Sequence, residues 1–246
     1  MSLKDREIYR IILAIESSGN VASAAVAERN KILAEYTVNI GKTHSQTLLP
    51  MIDRVLGDAE MSVNDLDAIA VSRGPGSFTG LRIGSATAKG LAASAGIPIL
   101  EVPTLEALAV GVGNAGGRLI CPVIDARRNE VYTALYEVCG ESIEQVGEER
   151  AMSMEDLLAE LMAGEREVIF TGDALRIHGE KIKSVGQGKF ILAPLSARDL
   201  RAGCVATVGL SMLESGKAID GSQHSPVYLR LSSAERERLE QGKTLE

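Results

Sequence analysis

Residues 73–90 read RGPGSFTGLRIGSATAKG, and this stretch decides the architecture. The apolar run at 67–72 before it has the composition of a short strand, and the glycine-rich turn ends in Ser77, from which the spacing predicts a helix over 77–95. Within that helix Gly80, Gly84, Ala88 and Ala92 recur every four residues and line one face as a smooth ridge. Two interior glycines cost a helix roughly 1 kcal/mol each relative to alanine, so the ridge implies a close neighbour. Another helix would fit it, and so would the chain's own sheet. A glycine-rich loop opening a helix can also cradle an anion or act simply as a turn. Neither the Gly-Lys-Ser/Thr of a P-loop nor the spacing of a dinucleotide fingerprint is present.

Upstream, apolar strands are predicted at 10–16, 21–27 and 31–38, joined by short connections into an antiparallel meander. The period then changes. Leu48, Leu49, Ile52, Val55 and Leu56 form one broad stripe of a helix over 43–56, whose early part Pro50 should distort. Downstream come a strand at 97–102 and a helix through about residue 112 with Thr104 as its N-cap. This βαβα run favours parallel pairing within a mixed sheet. After Gly116-Gly117 the opening pattern returns as a strand at 119–124, an acid, a turn and a strand at 131–138, with Asp125 in the place of Glu16. The echo predicts a duplicated lobe and a division into 1–115 and 116–246. The second half carries further helices near 154–162 and 196–213 and a strand at 167–171. Ser232-Ser233-Ala234-Glu235 fits a capping box opening a short charged helix.

Bulk properties narrow the function classes. The 246 residues are 45% apolar and 24% charged, as in a folded globular chain, and no apolar run approaches the roughly 20 residues of a membrane span. A charged N-terminus unlike a signal peptide leads to the expectation of a cytoplasmic protein. The net charge of −7 opposes strong independent binding to nucleic acid, although a local basic patch is compatible with it. Cys121, Cys139 and Cys204 lack metal-ligand spacing and are expected as buried free thiols. His44 is expected near a helix start, His178 and His224 in loops, and no two of the three form a metal pair on one helix. Ser77 has no evident base nearby in sequence, which leaves a hydrolase little support. Glu16 and Asp125 end their strands, where a carboxylate can hold a phosphate-bound cation or bond local backbone N–H groups.

Five segments carry a family resemblance: residues 12–18 (ILAIESS), 44–50 (HSQTLLP), 73–90, 102–108 (VPTLEAL) and 125–132 (DARRNEVY), with Tyr228-Leu229-Arg230 at the end. Together they resemble the TsaB/YeaZ family. The resemblance implies a two-lobed α/β fold with mixed sheets, of the actin, sugar-kinase and Hsp70 type. It further implies a noncatalytic subunit that pairs with the related enzyme TsaD, which transfers threonylcarbamoyl to the tRNA adenosine next to the anticodon. TsaE joins that assembly, TsaC-type enzymes supply the adenylate, and tRNA is reached mainly through the complex. TsaD-like sequences place two metal-binding histidines where this chain has Thr104 and Leu108. No catalytic or metal residue is therefore expected here, and ATP and metal are expected on partner subunits. The partner interface is predicted from Leu48, Leu49, Ile52, Val55, Gly80, Gly84 and Ala88, with homodimers through the same helices when TsaD is absent. The alternative is an independent ATP-dependent phosphotransferase or metallopeptidase-like hydrolase of the same superfamily.

Overall fold

The computed structural model describes residues 10–29, 31–140 and 142–230. β1 (Ile11–Glu16), β2 (Ala22–Glu28) and β3 (Lys31–Val38) form the expected meander. α1 (His44–Asp58) leads to β4 (Ala68–Gly74), α2 (Phe78–Ala95), β5 (Ile99–Pro103) and α3 (Thr104–Val110). β4 and β5 add in parallel, giving the sheet order β3-β2-β1-β4-β5. All six residues of β1 are buried because both faces are covered. Leu13 and Ile15 pack toward α1 and α2, while Ile12 and Ala14 pack toward the other lobe.

The second lobe repeats this plan. β6 (Leu119–Asp125) and β7 (Glu130–Thr133) form a hairpin, β10 (Arg150–Ser153) pairs with β7, and β11 (Val168–Thr171) and β12 (Phe190–Leu192) add in parallel. Its order, β10-β7-β6-β11-β12, has the same sequence of antiparallel and parallel pairings as the first sheet. α4 (Met154–Ala163) and α5 (Leu175–Gly186) take the positions of α1 and α2 between the corresponding strands. The two-lobed α/β architecture with mixed sheets is thus present, and the weak echo in the sequence is a duplicated topology.

Several local expectations need correction. The helix α1 runs through Pro50 as one element, with Pro50 and Gln46 exposed so that water can serve the carbonyl left unpaired. Thr104 is not an N-cap: β5 passes directly into α3 at Pro103, and the buried Thr104 hydroxyl accepts from Gly74 N–H at 3.1 Å. The strand expected at 131–138 is two, β7 and β8 (Tyr136–Cys139), which keep one register on β6 but take different outer neighbours, β10 and β9 (Ser142–Gln145). α5 and β12 were illegible, the first because it lacks a capping side chain and contains Gly179, the second because it has three residues. His178 consequently lies buried in α5, His224 is buried although in a loop, and Cys139 is half-buried on β8. The helix expected at 196–213 starts later, as α6 (Ala202–Glu214).

α6 also alters the division at residue 115. It packs on β1, β2, β4 and β5 of the first sheet, so closely that a methyl on Gly209 would lie 2.7 Å from the Ala70 Cβ. The chain then stays with the first lobe: Ile219 exchanges backbone hydrogen bonds with Ile99, and Val227 N–H donates to the Arg73 carbonyl at 2.7 Å. Residues 202–228 therefore pack against the first lobe, Arg230 reaches across to the Ala126 carbonyl and Glu130 of the second, and α3 and α6 fill the continuous core between the sheets. The capping box at 232–235 lies outside the described residues.

Candidate functional site

A cleft of about 280 Å³ lies between the lobes. Its walls are the β1–β2 turn, the start of α2, the β6–β7 turn and the C-terminal segment 228–230. Each hairpin turn is held by the acid that ends its first strand. Glu16 accepts from Ser18 N–H and the Ser18 hydroxyl, both at 2.6 Å, and from the Ser72 hydroxyl. Asp125 accepts from Arg127 N–H at 2.8 Å. Both acids thus bond local backbone donors, two residues ahead in each case. Burial raises the Glu16 carboxyl to about 7, against the lowering effect of its hydrogen bonds. Asp173, invisible as a site residue in the sequence, receives Asp125 N–H at 3.0 Å, and its carboxyl is raised by burial. Its signal was positional: it follows Gly172, which has φ +113° after β11 as Gly74 has φ +116° at the end of β4.

The first turn is locked into the helices beside it. Ser77 N–H donates to the Ser18 carbonyl at 2.6 Å, the Ser17 hydroxyl donates to the Gly80 carbonyl at 2.9 Å, and His44 Nε2 lies 2.9 Å from the Gly19 carbonyl. A methyl on Gly80 would fall inside 3.0 Å of the Ser17 carbonyl, and one on Gly84 equally close to the Ser17 hydroxyl. The glycine ridge therefore serves the chain's own sheet. The loop's donors at Gly74, Ser77 and Gly80 are likewise committed to Thr104, Ser18 and the Ser77 hydroxyl, so these three hold the turn itself.

This placement changes the predicted interface. Leu48, Ile52, Val55, Gly80, Gly84 and Ala88 are all buried in the chain's own core, and of the seven residues only Leu49, 55% exposed, faces outward. The periodicity was right and its sense was reversed, since the apolar stripe and the small-residue ridge both face the sheet. What remains accessible is the opposite side of the helices, with Leu49 and Asp53 on α1 and Ala86 and Gly90 on α2.

Beside the β1–β2 turn is a smaller space of about 20 Å³ that shares part of the cleft's lining and is bordered by Glu16, Thr104, Leu108, Asp173 and Asp199 among others. Thr104 and Leu108 face it from successive turns of α3. Among the described residues no group of three or more His, Cys, Asp or Glu side chains is arranged to hold a metal ion, and no helix is long and apolar enough to cross a membrane.

A family model described as TsaD, tRNA N6-adenosine threonylcarbamoyltransferase, matches residues 31–208. The chain is 36% identical to the tRNA threonylcarbamoyladenosine biosynthesis protein TsaB of Bacillus subtilis, over 94% of this chain and 99% of that protein. The chain belongs to the TsaB/YeaZ family. The TsaB of Escherichia coli K12 is 33% identical over 89% of this chain and 94% of its own length. YeaZ from Pseudomonas aeruginosa has the same fold, with a TM-score of 0.75 at 26% identity, covering 89% of this chain and 100% of that one.

Within this family member the positions that resemble the metal histidines of TsaD-like sequences are again Thr104 and Leu108. Thr104 and Leu108 stand one turn apart on α3. Leu108 has no donor, and the Thr104 hydroxyl is occupied by Gly74 N–H. The residues present do not fit a metal ion.

Proposed function

We propose that this chain serves tRNA threonylcarbamoyladenosine biosynthesis as a noncatalytic subunit that binds and supports a TsaD-type threonylcarbamoyltransferase. The observation that carries the reading is the wall of the smaller space: the resemblance to TsaD-like sequences implies two imidazoles there in a catalytic relative, and this chain presents a hydrogen-bonded hydroxyl and an alkyl group. Glu16, Asp125 and Asp173 each accept a backbone N–H of the turns around the cleft, so these carboxylates serve to hold the turns. The chain itself requires no cofactor, and ATP and metal reside on its partners.

Docking uses the outer face of α1 and α2. Leu49 supplies an apolar anchor there, and Ala86 and Gly90 allow close approach, since nothing lies within 4 Å of a methyl built on Gly90. In the absence of the partner two copies pair through the same face. The complex works in the cytoplasm, where TsaE joins it and a TsaC-type enzyme feeds it.

Reconstitution with TsaD, TsaE, a TsaC-type enzyme, ATP, threonine, bicarbonate and tRNA tests the reading by measuring modified adenosine. Omission of this chain should reduce the yield to background, and Leu49→Asp or Ala86→Glu should abolish co-elution with TsaD while leaving the thermal transition unchanged. An unchanged yield without the chain, or ATP turnover by the chain alone, would overturn the proposal.

A further inference from the structure

Aromatic side chains are scarce in this protein, three Phe and five Tyr in 246 residues, and three of the seven among the described residues border the interlobe cleft: Phe78, Tyr132 and Tyr228. Phe78 and Tyr228 form a tilted pair with ring centroids 4.7 Å apart, and Tyr228 is 38% exposed. Arg82 lies 3.9 Å over the Phe78 ring and donates Nε to the Tyr228 hydroxyl at 3.3 Å. The first lobe thus presents two rings and a guanidinium stacked together at the mouth of the cleft. Apolar burial alone does not explain such a stack at an exposed edge, because it keeps a flat face beside a fixed positive charge.

Across the mouth, the β6–β7 turn presents Arg127 and Arg128, both exposed. Arg127, Arg128 and Asn129 have φ of +66°, +54° and +63°, three successive non-glycine residues in the left-handed region. Each ordinary residue there costs about 1 to 2 kcal/mol, and such strain persists where surrounding contacts enforce it. Those contacts are present: Asp125 holds Arg127 N–H, Asn129 Nδ2 donates to Glu155 at 2.7 Å, and Arg230 binds Glu130 and the Ala126 carbonyl. Of the acids here, Asp125 also pairs with Arg127 at 3.4 Å and Glu130 with Arg230, while Asp173 accepts Asp125 N–H. A basic, aromatic edge has been built on a chain whose net charge is −7.

We propose that this rim, Phe78, Arg82 and Tyr228 on one side and Arg127 and Arg128 on the other, is a contact surface for a single-stranded segment of RNA. It rests on the preceding reading only in taking tRNA as the RNA concerned. Single strands are held by a combination of this kind, with bases stacked on aromatic or guanidinium faces and phosphates on flexible cations. The sequence-level objection from net charge is met locally, and the small number of cations makes the contact weak in the isolated chain and an added anchor within a complex.

The test is ultraviolet crosslinking of an unmodified tRNA and of its anticodon stem-loop, to the full chain alone and to its complex with TsaD, with crosslinked peptides mapped by mass spectrometry. Crosslinks should fall on the peptides containing Phe78 and Tyr228. Tyr228→Ala and the double variant Arg127→Glu/Arg128→Glu should each weaken binding about tenfold. The double variant should also lower the slope of log affinity against log salt by about 1.4. Lys183→Glu on α5 should change nothing, and none of the rim variants should alter co-elution with TsaD. Crosslinks elsewhere with unchanged affinity of the rim variants would overturn the inference. Loss of TsaD binding with RNA binding intact would do so too, making the rim a protein contact, and full competition by free ATP would reassign it to a mononucleotide. Failure of the chain to pair with TsaD would instead sink the scaffold reading, while crosslinking to the chain alone still decides this one.

Discussion

The β1–β2 and β6–β7 turns occupy equivalent places in two lobes of one topology, and they have become opposites. Both follow a strand ending in an acid that bonds a backbone N–H two residues on. The first turn is enclosed: Glu16, Ser17 and Ser18 are buried, and α2 approaches so closely that glycine is required at Gly80. The second projects: Arg127, Arg128 and Asn129 are exposed in left-handed backbone that glycine would adopt more easily. A shared fold therefore determines where a turn sits, and the residues of the helix behind it decide whether it is a joint or a contact surface.

The largest effect should come from breaking the enclosed joint. Gly80→Ala forces a methyl into the Ser17 carbonyl, which is backbone and cannot swing aside, and should lower stability by ~3 kcal/mol or more. Gly90→Ala, on the open side of the same helix, should raise it by ~0.5 to 1 kcal/mol. Thermal or urea unfolding of the pair measures both, and equal effects would contradict the packing described.

Next in size is the pH response of Glu16. Its carboxyl is raised from 4.5 to about 7 by burial, so the folded state holds the proton more tightly than the unfolded chain. Stability contributed by this group is complete below about pH 4.5 and is lost as pH rises through 7, by up to ~3 kcal/mol. Glu16→Gln should remove that part of the slope, so that the variant gains on the native protein between pH 4.5 and 8. Parallel stability curves would show that the three donors around the carboxylate offset its burial.

The smallest effect concerns the strained turn. Arg128→Gly should stabilise the second lobe by ~0.5 to 1 kcal/mol, because relief of the left-handed conformation exceeds the added entropy of the unfolded chain. The same substitution should reduce crosslinking to RNA. Gain in stability with loss of contact is the signature expected of strain kept for function.

Much of this contrast was legible in the sequence. The apolar strands, the apolar stripe of α1 and the repeated strand-acid-turn-strand unit are local patterns, and local patterns survive in one dimension. The glycine ridge of α2 announced a close neighbour, yet its four-residue spacing carries no information about which neighbour. α5 escaped notice because polar residues and Gly179 dilute its pattern, and Asp173 escaped with it. Tyr228 was visible as part of a terminal motif, but its partner Phe78 lies 150 residues away.

The sequence by itself determined the first sheet and the repeat of its opening strand-acid-turn-strand unit, since each depends on residue type and short-range spacing. Only the tertiary structure decided that the ridge faces inward, that residues 202–228 pack with the first lobe, and that scattered aromatics and arginines share one rim. Those outcomes depend on contacts between segments far apart in the chain, where burial of one face against a particular neighbour, rather than local propensity, sets the energy.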